Sequence, residues 1–286
     1  MGDEDQAHQS LLLSLAALTD AADTPPGLSK NQATRQQEVG KTGAGAFPRP
    51  VWTWPSGNAC SYTLPTVTPA APARAARSID VIDGAAVRAA LARCEWLIGR
   101  HAAYLTRLDA VLGDGDHGDN LVIGFRAVRE MLAELPADAS PGELLRAVGH
   151  RLVAAVGGAS GPLYGTAFLE AGARIGDEAV VPIDALAPML RAATEGLARR
   201  GRCAVGDKTI LDTIAPAADR LEAALRDGES IAVAYAAAVR VAARGMRSTR
   251  PLIARRGLAM RLGDRARGHL DPGAVSCLLL LRAIGD

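Results

Sequence analysis

Four carboxylates, Asp109, Asp114, Asp116 and Asp119, fall within eleven consecutive positions, in a stretch broken by Gly113, Gly115 and Gly118. Carboxylates packed this closely repel one another, so a bound cation is their natural partner. Oxygen donors with no cluster of Cys or His favour Mg2+ or Ca2+ over zinc. An EF-hand is the first alternative, and it fails. With Asp114 and Asp116 at loop positions 1 and 3, Gly118 falls at position 5 and Phe125 at position 12, where a bidentate glutamate is needed. Mg2+ uses few carboxylates, keeps water and shares its shell with phosphates, and this stretch could serve it. The competing reading is a solvated acidic turn ahead of a helix that starts at 119.

Three further segments carry candidate chemistry. Val156–Thr166 contains Gly157, Gly158, Ala159, Ser160 and Gly161, residues small enough for a backbone to approach an anion. Ser160 could cap the next helix, whose start would aim N–H groups at a phosphate. A close helix–helix crossing explains the same small residues equally well. Gly201–Asp212 opens a helix and looks like a P-loop, but Asp207 separates Gly206 from Lys208. Gly40-Lys41-Thr42 has Arg35 where the first P-loop glycine belongs and no strand ahead of it, so a P-loop ATPase is rejected. In Gly263–Ala274, Asp271 reads as a helix cap and Pro272 as the first helical residue, after a long basic loop. His269 alone fits a structural histidine. No Ser-His-Asp or Cys-His set can be read from spacing.

These segments need elements to hold them. From Asp80 onward, apolar residues recur with helical period: Val87, Leu91, Cys94, Ile98 and Leu105 share one face, and Leu121, Phe125, Val128, Leu132 and Leu135 another. The pattern predicts eight helices, near 84–108, 119–135, 141–156, 162–175, 184–200, 208–226, 230–248 and 272–284. Pro141, Pro182 and Pro272 fall at expected helix starts. Short connections, apart from a long basic one at 249–271, predict an all-α antiparallel bundle or barrel. Residues 1–79 differ, with Pro and Gly too dense for a core, and read as a disordered N-terminal extension to a helical domain at 80–286.

Composition removes several functions. The 286 residues carry 32 Lys and Arg against 31 Asp and Glu, a net charge of +1, so no broad basic field exists to hold nucleic acid. Aromatics at 3% leave little for base stacking. Cys60, Cys94, Cys203 and Cys277 are widely spaced and form no CxxC, which reads as free thiols in a reducing compartment. No apolar run approaches the roughly 18–20 residues of a membrane span, and the acidic start has the wrong sign for a signal peptide. A cytoplasmic protein with no membrane partner is expected.

Taken in order, Leu108–Asn120, Val156–Thr166, Gly206–Thr213 and Gly268–Ser276 together resemble the L subunit of dihydroxyacetone kinase (DhaL), over about residues 82–286. The resemblance implies an eight-helix antiparallel up-and-down barrel holding ADP or ATP at one end through two Mg2+ ions. It implies Asp109, Asp114 and Asp116 as metal ligands. For the nucleotide it implies His117, Gly118, Asp119 and Asn120 as the first loop and Ala159 with Ser160 on the phosphate side. Gly201 and Ile210 match positions around adenine and ribose, and Asp271, Pro272 and Gly273 close the site. One position departs: Leu258 stands where the family commonly has an arginine that contacts the phosphates, and Arg255, Arg256, Arg261, Arg265 or Arg267 could compensate.

The resemblance also implies partners. A stand-alone L subunit works with a separate K subunit that binds dihydroxyacetone. In the phosphotransferase-system version it also works with a phosphohistidine protein that recharges the bound ADP. A homodimer is left open. The alternatives are the L subunit of an ATP-dependent kinase for another small ketose, and a DhaL-like regulatory module without catalysis.

Overall fold

The computed structural model describes residues 81–285. The expected extension, 1–79, lies outside the described residues. The chain enters through a short strand, β1 (Val81–Asp83), and then runs through eight α-helices: α1 (Gly84–Leu112), α2 (His117–Glu134), α3 (Pro141–Ala155), α4 (Ser160–Ile175), α5 (Leu186–Gly201), α6 (Leu211–Arg226), α7 (Ile231–Ser248) and α8 (Pro272–Gly285). A second short strand, β2 (Val180–Pro182), pairs antiparallel with β1, Ile82 opposite Val181.

Each helix packs on the next, and α8 returns against α1 to close the ring. The expected antiparallel barrel is what the chain forms. The faces predicted for α1 and α2 point inward: Ile98, Leu105 and Leu121 are fully buried, and Phe125 and Val128 nearly so. A buried leucine or phenylalanine contributes about 1.5–3 kcal/mol through removal from water alone. The last helix is apolar almost all round, with every residue from Ala274 to Leu281 buried, as a helix lodged against α1, α6 and α7 must be.

Local chemistry sets the helix ends. Asp83 caps α1 through the Ala86 N–H at 2.7 Å, and Ser140 with Glu143 forms a reciprocal capping box on α3. Asp271 accepts the Ala274 N–H at 2.7 Å, the cap expected ahead of Pro272. Other boundaries differ from expectation. The first helix runs on to Leu112, so Asp109 is helical. The second begins at His117, which puts Asp119 in its first turn. The sixth begins at Leu211 instead of 208, because Lys208 has φ 63°, a left-handed backbone that cannot propagate a helix. Pro182 ends β2 ahead of a 3-10 turn, Ile183–Ala185, so it does not open a helix itself. The long 249–271 connection contains a kinked 3-10 segment, Leu258–Ala266.

Candidate functional site

An up-and-down ring delivers the C-termini of α1, α3, α5 and α7 and the N-termini of α2, α4, α6 and α8 to one mouth. Every candidate residue lies at one of these ends or in a loop joining them.

The acid cluster is built on the last turn of α1. Asp109 Oδ2 accepts three backbone N–H groups, from Gly115 and Asp116 at 3.0 Å and from His117 at 3.2 Å, so it folds the loop and caps α2 from the preceding helix. A Cβ on Gly113 would collide with Asp109 Oδ1, which explains glycine there. Asp109 is 9 % exposed, whereas Asp114 and Asp116 are exposed, and each of the three offers an oxygen within 4.8 Å of the others. Burial pushes the Asp109 carboxyl above its ordinary range. The backbone donors of Asp116 and His117 pull it down, and Asp114 raises it. An all-oxygen set with one desolvated carboxylate and two facing water fits a hard divalent cation that keeps part of its hydration shell.

His117, the first residue of α2, is buried with both ring nitrogens engaged. Nδ1 lies 3.0 Å from Ser160 Oγ and Nε2 lies 2.8 Å from Ser276 Oγ. The Tyr164 hydroxyl is 2.6 Å from the same Ser276 oxygen and also donates to the Gly273 carbonyl at 3.3 Å. One polar network therefore ties together the starts of α2, α4 and α8. Ser160 is not the helix cap expected of it: α4 starts at Ser160 itself, without a side-chain cap, because its hydroxyl is turned to His117. Gly118 allows the close approach of α2 to α1, since a Cβ there would strike the Ala102 carbonyl and come within 2.6 Å of Thr106 Oγ1. A Cβ on Gly157 would sit 3.5 Å from the Asn120 amide, so the small-residue loop borders the first turn of α2.

The opposite rim is made by 201–212 and 249–273. Asp212 accepts the Gly206 and Thr209 N–H groups at 2.7 Å, shaping the turn before α6. Ile210 is buried beside Gly273, whose Cβ would lie 3.9 Å from it, and Gly201 faces Leu163 of α4. Asp271 is pushed up to about 7 by burial. The Ala274 N–H and Lys208 lower it, and Asp212 and Asp109 raise it, so its charge is felt across the mouth. Asp207, nearly buried, lies 3.4 Å from Arg256 Nε and 3.9 Å from Arg255 Nη1. Leu258 is 41 % exposed on the 3-10 segment. His269 is exposed, and its carbonyl, not its ring, is used.

The structure thus brings His117 together with Ser160, Asn120 beside the Gly157 loop, and Ile210 beside Gly273. Reasoning from spacing did not single out Ser276, Tyr164, Asp212 or Lys208 as site residues. The local signal for Lys208 and Asp212 was the charged run ahead of α6, and for Tyr164 and Ser276 it was their place in the Val156–Thr166 and Gly268–Ser276 segments.

An all-α barrel with an oxygen-donor cation cluster at one mouth, wired to three helix starts, is the class that fold and site define. The chain belongs to the DAK2 domain family, whose model matches residues 111–286. It is 43% identical over 190 residues to "PEP-dependent dihydroxyacetone kinase 2, ADP-binding subunit DhaL" of Listeria innocua serovar 6a, covering 66% of this chain and 87% of that one. It is 37% identical over 194 residues to "PEP-dependent dihydroxyacetone kinase, ADP-binding subunit DhaL" of Escherichia coli K12, covering 68% and 92%. Its fold is similar to the crystal structure of the dihydroxyacetone kinase from C. freundii in complex with AMP-PNP and Mg2+, with a TM-score of 0.55 at 23% identity. That match covers 83% of this chain and 38% of the other. No described helix is long and apolar enough to cross a membrane.

Proposed function

We propose that the protein is the nucleotide-binding L subunit of a dihydroxyacetone kinase, working in the cytoplasm, and that residues 80–286 carry this activity. The observation that carries the reading is the convergence of Asp109, Asp114 and Asp116 with the hydrogen-bonded starts of α2, α4 and α8 at one mouth. The near-complete coverage of two ADP-binding DhaL subunits supports it.

In this reading Asp109, Asp114 and Asp116 hold two Mg2+ ions, which neutralise the charge of the nucleotide phosphates. Asp109 is fixed by three backbone donors, so one ligand of the set is held in place before any ion arrives. Gly118 and Asp119 in the first turn of α2, and Ala159 with Ser160, present backbone N–H groups to the phosphates, while Asn120, whose N–H is held by the Asp116 carbonyl, contributes its side chain. His117 borders the phosphates by shaping this turn, since its ring is spent on Ser160 and Ser276 and its N–H on Asp109. Gly201 and Ile210 border the base and ribose, and Asp271, Pro272 and Gly273 close the site. Leucine at 258 donates no charge-assisted bond, so we assign the phosphate-side cations to Arg255 and Arg256, both held by Asp207.

Phosphoryl transfer needs mainly positioning and charge neutralisation, which this mouth supplies without a covalent nucleophile. The acceptor is dihydroxyacetone on a separate K subunit, and a phosphohistidine protein of the phosphotransferase system regenerates ATP from the retained ADP. The test is reconstitution. Mixed with a K subunit and the phosphohistidine donor, the protein should phosphorylate dihydroxyacetone, and Asp114→Ala should abolish turnover. Turnover that needs free ATP and ignores the donor would assign it instead to an ATP-exchanging kinase. No turnover with either phosphodonor would contradict the kinase reading.

A further inference from the structure

Lys208 is fully buried, and its backbone sits at φ 63° in the left-handed region. Burying an ammonium and holding a non-glycine residue left-handed both oppose folding. What the position provides is reach. The ammonium donates to the Thr249 carbonyl at 2.7 Å and to the His269 carbonyl at 2.5 Å, one on either side of the loop 250–268. Burial lowers the pKa of this amine, while the charges of Asp271 and Asp212 raise it.

The same neck carries other ties. The Gly268 N–H donates to the Arg250 carbonyl and Arg250 Nε to the Gly268 carbonyl, both at 2.8 Å, and the Asp271 N–H donates to Thr249 Oγ1 at 3.1 Å. Beyond the neck the loop reaches the acid cluster's helix, where Ala254 and Ala266 pack on Leu112, three positions after Asp109. Below the neck, Asp271 caps α8. A clamp on the neck therefore fixes two things at once: the loop bearing Arg255 and Arg256, and the Asp271–Gly273 turn.

We propose that Lys208 is a positioning residue for nucleotide binding, its ammonium clamping the neck of the 250–268 loop and so setting that loop and the start of α8 against the Asp109–Asp116 cluster. The proposal rests on the nucleotide-site reading above. Lys208 acts on the loop through the two carbonyls it holds.

Two full-chain variants test it. Lys208→Met keeps the length and removes the donors. Lys208→Asn tolerates the left-handed backbone but is too short to reach either carbonyl. Trypsin cleavage within 250–268 is followed without nucleotide, and the release of a fluorescent ADP analogue is followed with Mg2+. Both variants should be cut in the loop, and should release the analogue, about tenfold faster than the unaltered protein. In the assembly with a K subunit and ATP, the loss should fall on KM more than on kcat. Should Lys208→Met fail to fold, Lys208→Asn carries the test. A folded variant whose loop stays as protected and whose ADP analogue leaves no faster would overturn the clamp. Failure of the unaltered protein to bind the analogue would overturn the nucleotide reading instead, while the nucleotide-free cleavage rates still decide whether Lys208 holds the neck.

Discussion

Nε2 of His117 lies 2.8 Å from Ser276 Oγ, although 159 positions separate them in the chain. With Nδ1 on Ser160, the imidazole fastens the starts of three helices at the mouth that carries the acid cluster. His117→Ala leaves both hydroxyls without this partner and opens a cavity. It should cost about 2–4 kcal/mol, read from denaturant unfolding, and should weaken nucleotide binding beyond the loss of stability.

The same ring gives the metal-free protein a pH dependence. Burial lowers the His117 pKa to about 4, against an ordinary 6.5, with Asp114 and the Pro272 backbone opposing the shift. A base with a depressed folded-state pKa is protonated more readily in the unfolded chain. Its contribution is present in full above pH 6.5 and is lost as the pH falls from there through about 4. Melting curves of the unaltered protein should drop across this window, and His117→Gln should flatten that part of the profile.

Gly118 makes a packing prediction. A methyl group there meets the Ala102 carbonyl, which is backbone and cannot swing away, and also Thr106 Oγ1. Gly118→Ala should therefore destabilise the protein by about 1–3 kcal/mol despite the higher helix propensity of alanine, and α2 should shift away from α1. Thermal unfolding of the variant checks the sign.

The helices and their inward faces were legible from sequence because each depends on spacing within a few turns. The Asp271-Pro272 cap was equally local. What could not be read were relationships across the ring. Ser160 looks like a cap until His117, 43 positions earlier, is seen to take its hydroxyl. Lys208 reads as the start of a helix, whereas its left-handed backbone serves carbonyls 41 and 61 positions away. The three-residue strands were too short to show any alternation, and pairing with each other is what makes them strands. Among the site residues, the carboxylates were the clearest signal, since four in eleven positions need an explanation in any fold.

The thiols should react in an order set by burial. Cys94 is pushed up to about 12 and Cys277 further still, both by desolvation, while Cys203 is only half-buried and is raised by the same cause. Iodoacetamide at pH 8 should label Cys203 first among these three, with Cys94 and Cys277 protected until unfolding. Peptide mapping after timed quenching reads the order, and ADP with Mg2+ should slow the reaction at Cys203, two positions after Gly201.

Leu258 allows a gain-of-function test. The side chain is 41 % exposed, so an arginine can be accommodated there. Leu258→Arg should add a charge-assisted bond to the phosphates and tighten ADP binding about tenfold, measured by calorimetry with Mg2+ present.

The central claim, that this mouth binds a nucleoside diphosphate through divalent cations on Asp109, Asp114 and Asp116, is tested most directly on the purified protein. After extensive dialysis, acid-released nucleotide is identified by chromatography and Mg2+ is quantified beside it. The account predicts ADP near one equivalent together with Mg2+, both lost in Asp114→Ala. Protein that comes out empty and fails to take up added ADP with Mg2+ would contradict it.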